Sequence, residues 1–446
     1  MRAGDSVAIF RRKLFRASGL SAPGRTGPTS VRIAAMPVTA HIPGLVLTEH
    51  EFTVPLRYSE PESERITLFA REVALPEGRD RPLLVFLQGG PGMEAPRPTA
   101  HPSAPGWLER ALQDYRVLML DQRGTGRSAP IGALENMSPE EQARYLACFR
   151  ADSIVSDAEL IRNDLGVERW SVLGQSFGGF CVLRYLSSAA GGLAEAFLTG
   201  GLPPVGRHPD EVYRATYART LQRCRRYYER YPADRERARH LHNWMAENEA
   251  ILPNGDRLTP RMFRQLGWVL GMSDGAEKLH YILELPAGSR AFLHDVEEGL
   301  PPFSRNPLYA VVHEASYSDG DVTNWSAARV QPDEYQEQPE LFTGEHVFPW
   351  MFEDYGALRP LREVSDLLAR YEWPSLYDAT RLGGCSVPAG AAIYADDMYV
   401  ERRFSEETAA LVPSMRAWLT NEYEHNGLRA DGARVLDRLI GLARGR

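Results

Sequence analysis

The segment of this chain best equipped for chemistry is Gly174-Gln175-Ser176-Phe177-Gly178. A G-x-S-x-G run that follows a buried strand and opens a helix sets its serine on a sharp corner, and the flanking glycines avoid collisions with the neighbouring strand and helix. A serine hydroxyl needs a base to become a nucleophile, and the base needs a carboxylate to orient it. On a sheet of this kind the order along the chain is Ser, then Asp or Glu, then His. Asp396-Asp397-Met398 follows the apolar run Ala391-Ala392-Ile393-Tyr394-Ala395, and Glu424-His425-Asn426-Gly427 follows Arg416-Ala417-Trp418-Leu419-Thr420. Of the 11 histidines, His425 alone lies beyond those acids. The pattern does not separate Asp396 from Asp397, since either could be a turn or cap residue. Acyl transfer also requires two donors for an oxyanion. The loop Gln88-Gly89-Gly90-Pro91-Gly92 stands beside the nucleophile turn in such a fold, which nominates the Gly90 N–H together with that of Phe177, the residue after the serine.

These groups have to be held by a sheet. Leu83-Leu84-Val85-Phe86-Leu87 is a short continuous apolar run stopped by glycines, the pattern of a strand buried on both faces. The runs at 117–121, 170–173 and 196–199 repeat that form, and each ends at or near a glycine. Residues 138–165 and 178–190 read as helices between them, so strand and helix alternate, which argues for an α/β architecture with a mostly parallel sheet covered on both faces. Residues before 80 read as an antiparallel lead-in, with 67–73 as one strand. From Asp210 to about Leu376 no buried strand is evident, and Tyr217, Leu221, Cys224 and Tyr228 keep helical spacing along an Arg-rich segment. This is a mainly helical cap inserted into the sheet domain. The sheet pattern resumes at 391–395 and 416–420, and a final helix begins near Ala430.

Composition sets the outer bounds. With 446 residues, 43% hydrophobic and 25% charged, the chain is long enough for a sizeable core and too apolar for intrinsic disorder. A net charge of -8, spread without blocks of one sign, gives no footprint for nucleic acid. The only lysines are Lys13 and Lys278; coding bias accounts for the Arg excess more cheaply than phosphate recognition does. Cys148, Cys181, Cys224 and Cys385 lie far apart with no C-x-x-C pair, which suggests neither a zinc knuckle nor a disulfide framework and fits a reducing, cytoplasmic setting. No apolar run approaches the length of a membrane span.

Taken together, Gly89-Gly90-Pro91-Gly92, Asp121-Gln122-Arg123-Gly124-Thr125-Gly126-Arg127-Ser128, Gly174-Gln175-Ser176-Phe177-Gly178-Gly179, Asp397-Met398 and His425 resemble the proline iminopeptidases (prolyl aminopeptidases), serine peptidases of the α/β-hydrolase fold. The resemblance covers residues 45–430 in outline, and the pair of glycine loops is its most specific part. It implies the α/β-hydrolase fold with a large cap. Because the family's acid precedes Met, it favours Asp397 as the third triad member. It also implies that two cap carboxylates recognise the free amine of the substrate, carried here by Glu314 in His313-Glu314-Ala315-Ser316-Tyr317 and Glu345 in Gly344-Glu345-His346-Val347-Phe348. Two carboxylates beside a closed pocket repel each other unless a cation sits between them; the plainer reading pairs them with nearby arginines or leaves them exposed. Phe348, Trp350 and Phe352 wall a slot for a pyrrolidine ring on the same view, or are simply core. Gln88 departs from the family, where many members carry His, and suggests a larger-capped subgroup. Arg123 and Arg127 read as structural ion-pair partners under the active-site loop rather than an anion site.

The resulting expectation is a serine aminopeptidase that releases N-terminal proline through Ser176, His425 and Asp397, with no metal or organic cofactor, a peptide substrate, and neither nucleic-acid nor membrane partner. The same triad acting on a small ester, amide or lactone is the nearest alternative. An Asp nucleophile, as epoxide hydrolases and dehalogenases use, is disfavoured by Ser176, and a non-catalytic binding protein by the intact triad order. The expected division is a basic extension over 1–36, a first core segment over 37–204, a cap over 205–380 and a second core segment over 381–446. Arg11-Arg12-Lys13 faintly resembles an export signal, but Arg16, Ser18, Gly19 and Pro23 interrupt the apolar stretch it would need; a disordered extension, or a start at Met36, is the reading preferred.

Overall fold

The computed structural model describes residues 37–60, 62–131 and 134–446, so the expectation for residues 1–36 lies outside the described residues. Nine strands form one sheet: β1 Val38–Ile42, β2 Leu45–Pro55, β3 Arg65–Ala74, β4 Leu83–Leu87, β5 Arg116–Leu120, β6 Trp170–Gln175, β7 Leu193–Thr199, β8 Ala389–Tyr394 and β9 Met415–Thr420. Their order is β1-β2-β3-β5-β4-β6-β7-β8-β9. The first three strands pair antiparallel with one another, and β3 with β5; every pairing from β5 across to β9 is parallel. The lead-in and the parallel body are therefore where the sequence puts them.

Period-2 alternation gives the sheet two apolar faces. Leu83, Val85 and Leu87 of β4, Leu118 and Leu120 of β5, and Ala196 and Leu198 of β7 pack into one core with the helices Ala151–Asp164 and Phe177–Ser188. Leu84 and Phe86, Val117 and Met119, and Phe197 point the other way, onto Trp107, Leu108 and the C-terminal helix Gly432–Ala443 through Val435, Leu436, Leu439 and Ile440. Burial on both faces is what makes these strands continuous apolar runs rather than alternating ones.

One expectation is corrected. The single helix read over 138–165 is two, Pro139–Leu146 and Ala151–Asp164, joined by a short 3-10 turn. The break falls at Arg150, whose backbone is extended and whose guanidinium is buried, donating to the carbonyls of Ala315, Ser318 and Pro374. A continuous helix would not aim that side chain at three carbonyls in the segment after β7.

Between β7 and β8 the described residues form helices and turns, with one isolated β-bridge, Ile251 to Arg257. The first helix, Pro209–Arg230, buries Tyr213, Tyr217, Leu221, Cys224 and Tyr228 along one face, the helical spacing seen in the sequence. Its apolar side is continuous with the core on the nucleophile face of the sheet. Among the described residues no helix is long and apolar enough to cross a membrane.

Candidate active site

Ser176 sits between β6 and the helix Phe177–Ser188 with φ 55 and ψ -124, a left-handed conformation that a non-glycine residue holds only when its surroundings enforce it. Here they do. The Ser176 N–H donates to the Thr199 carbonyl at 3.0 Å, and its own carbonyl accepts from Gly179 N at 2.7 Å. Close approach explains the glycines: a Cβ at Gly174 would collide with the Gly178 carbonyl, and one at Gly178 with the Leu87 carbonyl at the end of β4. The elbow is therefore wedged between the strands β4 and β7.

The His425 ring spans the two other groups. Its Nε2 lies 2.9 Å from Ser176 Oγ, and its Nδ1 lies 2.6 Å from Asp397 Oδ2. All three residues are buried. The other oxygen of Asp397, Oδ1, accepts from Tyr399 N at 2.8 Å and Val400 N at 3.0 Å, so the carboxylate is fixed from both ends. Burial alone would lower the basicity of His425, but the charge and hydrogen bond of Asp397, with the charge of Glu345 adding to them, outweigh it and leave the imidazole pKa above its ordinary value. Tyr399 packs edge-on against the ring at 4.7 Å between centroids.

Asp396 is not brought to this constellation. Its carboxylate is half-exposed and pairs with Arg226 at 2.6 Å. Two adjacent aspartates thus divide, one facing the histidine and one facing the helix Pro209–Arg230.

The loop after β4 lies against the nucleophile. A Cβ on Gly89 would meet Ser176 Cβ at 3.0 Å, and the Gln88 carbonyl accepts from Gln122 Nε2 at 3.0 Å. Phe177 opens its helix, so its N–H has no intrahelical acceptor. Beneath this loop the 121–128 segment is tied down by ion pairs to buried carboxylates: Asp121 takes a two-pronged contact from the half-exposed Arg97 at 2.8 Å on each oxygen, and the buried Arg123 does the same to Asp157 at 2.6 and 2.7 Å. Arg127 lies over the Phe69 ring and pairs with Glu49 and Glu51. Both Arg123 and Arg127 have the structural ion pairs read from the sequence.

The two glutamates differ. Glu345 accepts from the Tyr309 hydroxyl, and its other oxygen is 3.6 Å from His313 Nε2. Tyr309 in turn abuts Gly92, where a Cβ would come within 2.7 Å of the Tyr309 nitrogen, so Glu345 is linked to the loop after β4 through one residue. Glu314 turns to the backbone instead: its oxygens accept from Ala327 N at 2.8 Å and Ser326 N at 3.3 Å, capping the short helix Ser326–Arg329. Burial pushes its pKa up, and those N–H bonds offset only part of that. Phe348 stacks on Trp350 at 5.6 Å, while Phe352 is buried against Trp325. Tyr309 and Tyr399 escaped the sequence reading because neither sits in a motif; Tyr399 lies two residues past Asp397, which is the one signal that could have drawn attention to it.

Comparison with known proteins places the chain among relatives. The profile of the alpha/beta hydrolase fold matches residues 82–356, which include Ser176 and stop short of Asp397 and His425. The chain is 48% identical over 417 residues to a proline iminopeptidase of Aeromonas sobria, covering 90% of this chain and 97% of that one. It is 33% identical over 421 residues to a proline iminopeptidase of Aspergillus aculeatus, covering 89% and 93%. A probable proline iminopeptidase of Streptomyces coelicolor is 37% identical over 118 residues, 26% of this chain and 32% of that one.

Proposed function

The chain belongs to the proline iminopeptidases, serine hydrolases of the α/β-hydrolase fold, and from that premise we propose that it releases N-terminal proline from peptides with a free amine. The observation that carries the reading is the unbroken relay from Ser176 Oγ through the His425 ring to Asp397, at 2.9 and 2.6 Å. Ser176 Oγ attacks the carbonyl carbon of the first residue while His425 Nε2 takes its proton; the Gly90 and Phe177 N–H groups hold the oxyanion. His425 then gives the proton to the leaving nitrogen, the shortened peptide departs, and an acyl-enzyme remains. Water attacks the ester with His425 again as base, freeing the amino acid and restoring the serine. Asp397 keeps the imidazole in the tautomer that has a lone pair on Nε2.

Glu345 supplies the anchor for the substrate ammonium, and this makes the enzyme an exopeptidase. Its support is a largely enclosed carboxylate, 14% exposed, linked through Tyr309 to the loop after β4, with its charge felt at His425. Glu314 is the second cap carboxylate of this reading, with its oxygens held by the Ser326 and Ala327 N–H groups of the helix Ser326–Arg329. Residues 205–380 form the cap that closes over the amine; 37–204 and 381–446 form the hydrolase core.

The test is hydrolysis of prolyl arylamide, its N-acetylated twin and a short-chain aryl ester, with Ser176→Ala as the blank. Turnover confined to the free-amine substrate supports the aminopeptidase, and equal turnover of the acetylated twin refutes it. An ion pair at about 4 Å with an effective dielectric near 20 is worth about 4 kcal/mol, so Glu345→Gln should cost about 10²- to 10³-fold in kcat/KM on the prolyl substrate and little on the ester. Glu314→Gln should cost less.

A further inference from the structure

Three consecutive residues carry and flank the catalytic base, and all three are bound by the segment inserted between β7 and β8. The His425 N–H donates to the Gly271 carbonyl at 3.1 Å. Asn426 Oδ1 accepts from Ser273 N at 3.0 Å and Ser273 Oγ at 2.8 Å. Glu424 accepts from Arg223 on the helix Pro209–Arg230. The base is thus held in place by the cap.

Arg223 does more than hold one loop. The same terminal nitrogen, Nη2, also donates to the Asp396 carbonyl at 3.2 Å. Asp396 immediately precedes the triad acid and Glu424 immediately precedes the triad base, so one guanidinium nitrogen bridges the two loops at the positions adjoining Asp397 and His425. On either side, Arg219 grips Glu401 at 2.7 and 3.0 Å and Arg226 grips Asp396 at 2.6 Å. Residues 219, 223 and 226 share a helical face by their spacing. The middle one is the most enclosed, with 17% of its side chain exposed against 26% and 47% for its neighbours.

We propose that Arg223 is a positioning residue for the triad: it fixes the acid loop and the base loop relative to each other and makes the cap part of the apparatus that orients His425. The proposal rests on the triad reading given above. Removing the guanidinium leaves Asp397 fixed by Tyr399 and Val400 but frees the base loop at Glu424. A misplacement of about 1 Å at a reacting group, even one caused by a change far from the chemistry, can cost about 10²-fold in rate.

The experiment is steady-state kinetics on prolyl arylamide for Arg223→Met, Arg223→Lys, Arg226→Gln, Glu424→Gln and Ser176→Ala, with thermal melting of each. The expected result is a 10- to 100-fold fall in kcat for Arg223→Met with KM within about threefold, and partial recovery in Arg223→Lys, whose ammonium is one bond shorter in reach but keeps a charged donor facing the same two loops. Arg226→Gln should stay within about twofold, its pair being half in water. Glu424→Gln loosens the same contact from the other side and should lower kcat several-fold; it decides the matter if Arg223→Met does not fold. Unchanged kcat in folded Arg223→Met, a loss confined to KM, or no recovery in Arg223→Lys would each overturn the proposal. Full activity in Ser176→Ala would instead overturn the triad, whereas an inactive Ser176→Ala beside an unimpaired Arg223→Met overturns the clamp alone.

Discussion

Replacing Arg123 by Met tests how the floor of the active site is held. The guanidinium is 1% exposed, and each of its five N–H groups has a partner: Nε and Nη2 on the two oxygens of Asp157 at 2.7 and 2.6 Å, Nη1 on the carbonyls of Leu56 and Cys148 at 2.9 Å each, and Nη2 on Pro55 at 3.3 Å. Asp157, also 1% exposed, keeps only the Tyr58 hydroxyl at 2.6 Å once the arginine is gone. The variant thus buries an uncompensated carboxylate and leaves three carbonyls without these donors, for which removing one partner of a buried pair costs about 3–5 kcal/mol. With an unfolding entropy of about 2.1 cal/mol/K per residue, a chain of this length loses about 1 kcal/mol per degree, so Tm should fall by about 3–5 °C. Urea denaturation followed by tryptophan fluorescence measures the free energy directly. Arg123→Met/Asp157→Leu removes both charges and should recover most of the loss, because the cost lies in the orphaned acid rather than in the missing attraction. A single variant within about 1 kcal/mol of wild type, or a double variant no more stable than the single, would refute this account of the pair.

Two further outcomes follow from the geometry. The acid limb of the kcat/KM profile should have its midpoint above the ordinary imidazole value of about 6.5, because the base must be neutral to accept a proton and Asp397 holds His425 more basic than usual; Asp397→Asn should move that limb to lower pH and cut kcat by about 10⁴, and a midpoint at or below the ordinary value would contradict the assignment. Gly178→Ala should yield little folded protein, since its Cβ would collide with the Leu87 backbone, whereas Gly191→Ala, with open space around its Cα, should express and melt like wild type; normal folding of Gly178→Ala would show that the elbow can relax.

Much of this site was legible because its constraints are local. Strands buried on both faces read as unbroken apolar runs, and the elbow demands small residues on both sides of Ser176. What was not legible depends on direction and on distant partners. Asp396 and Asp397 are chemically identical neighbours that pattern alone does not separate; the resemblance favours Asp397, and their opposite orientations at the end of β8, toward Arg226 and toward His425, give the physical difference. Glu314 was grouped with Glu345 by resemblance, yet its carboxylate is occupied by backbone N–H groups 12 and 13 residues further on. The break between the helices at 146 and 151 was invisible for the same reason, since its cause is a set of carbonyls at 315, 318 and 374.

The pairing of β7 with β8 has a consequence for biosynthesis. The two strands are adjacent in the sheet, with Thr199 beside Ala392, although the whole helical segment separates them in the chain. During translation, β7 therefore emerges well before the strand that will cover its open edge. At roughly 5–20 residues per second, the ribosome needs on the order of 10–40 seconds to deliver the intervening stretch. Through that interval the nascent chain presents an unpaired, apolar strand edge able to join another chain, and the histidine and aspartate that complete the relay do not yet exist. The order of strands thus delays chemistry until β8, β9 and the loop that carries His425 have been made, and leaves the edge of β7 open to other chains until β8 emerges.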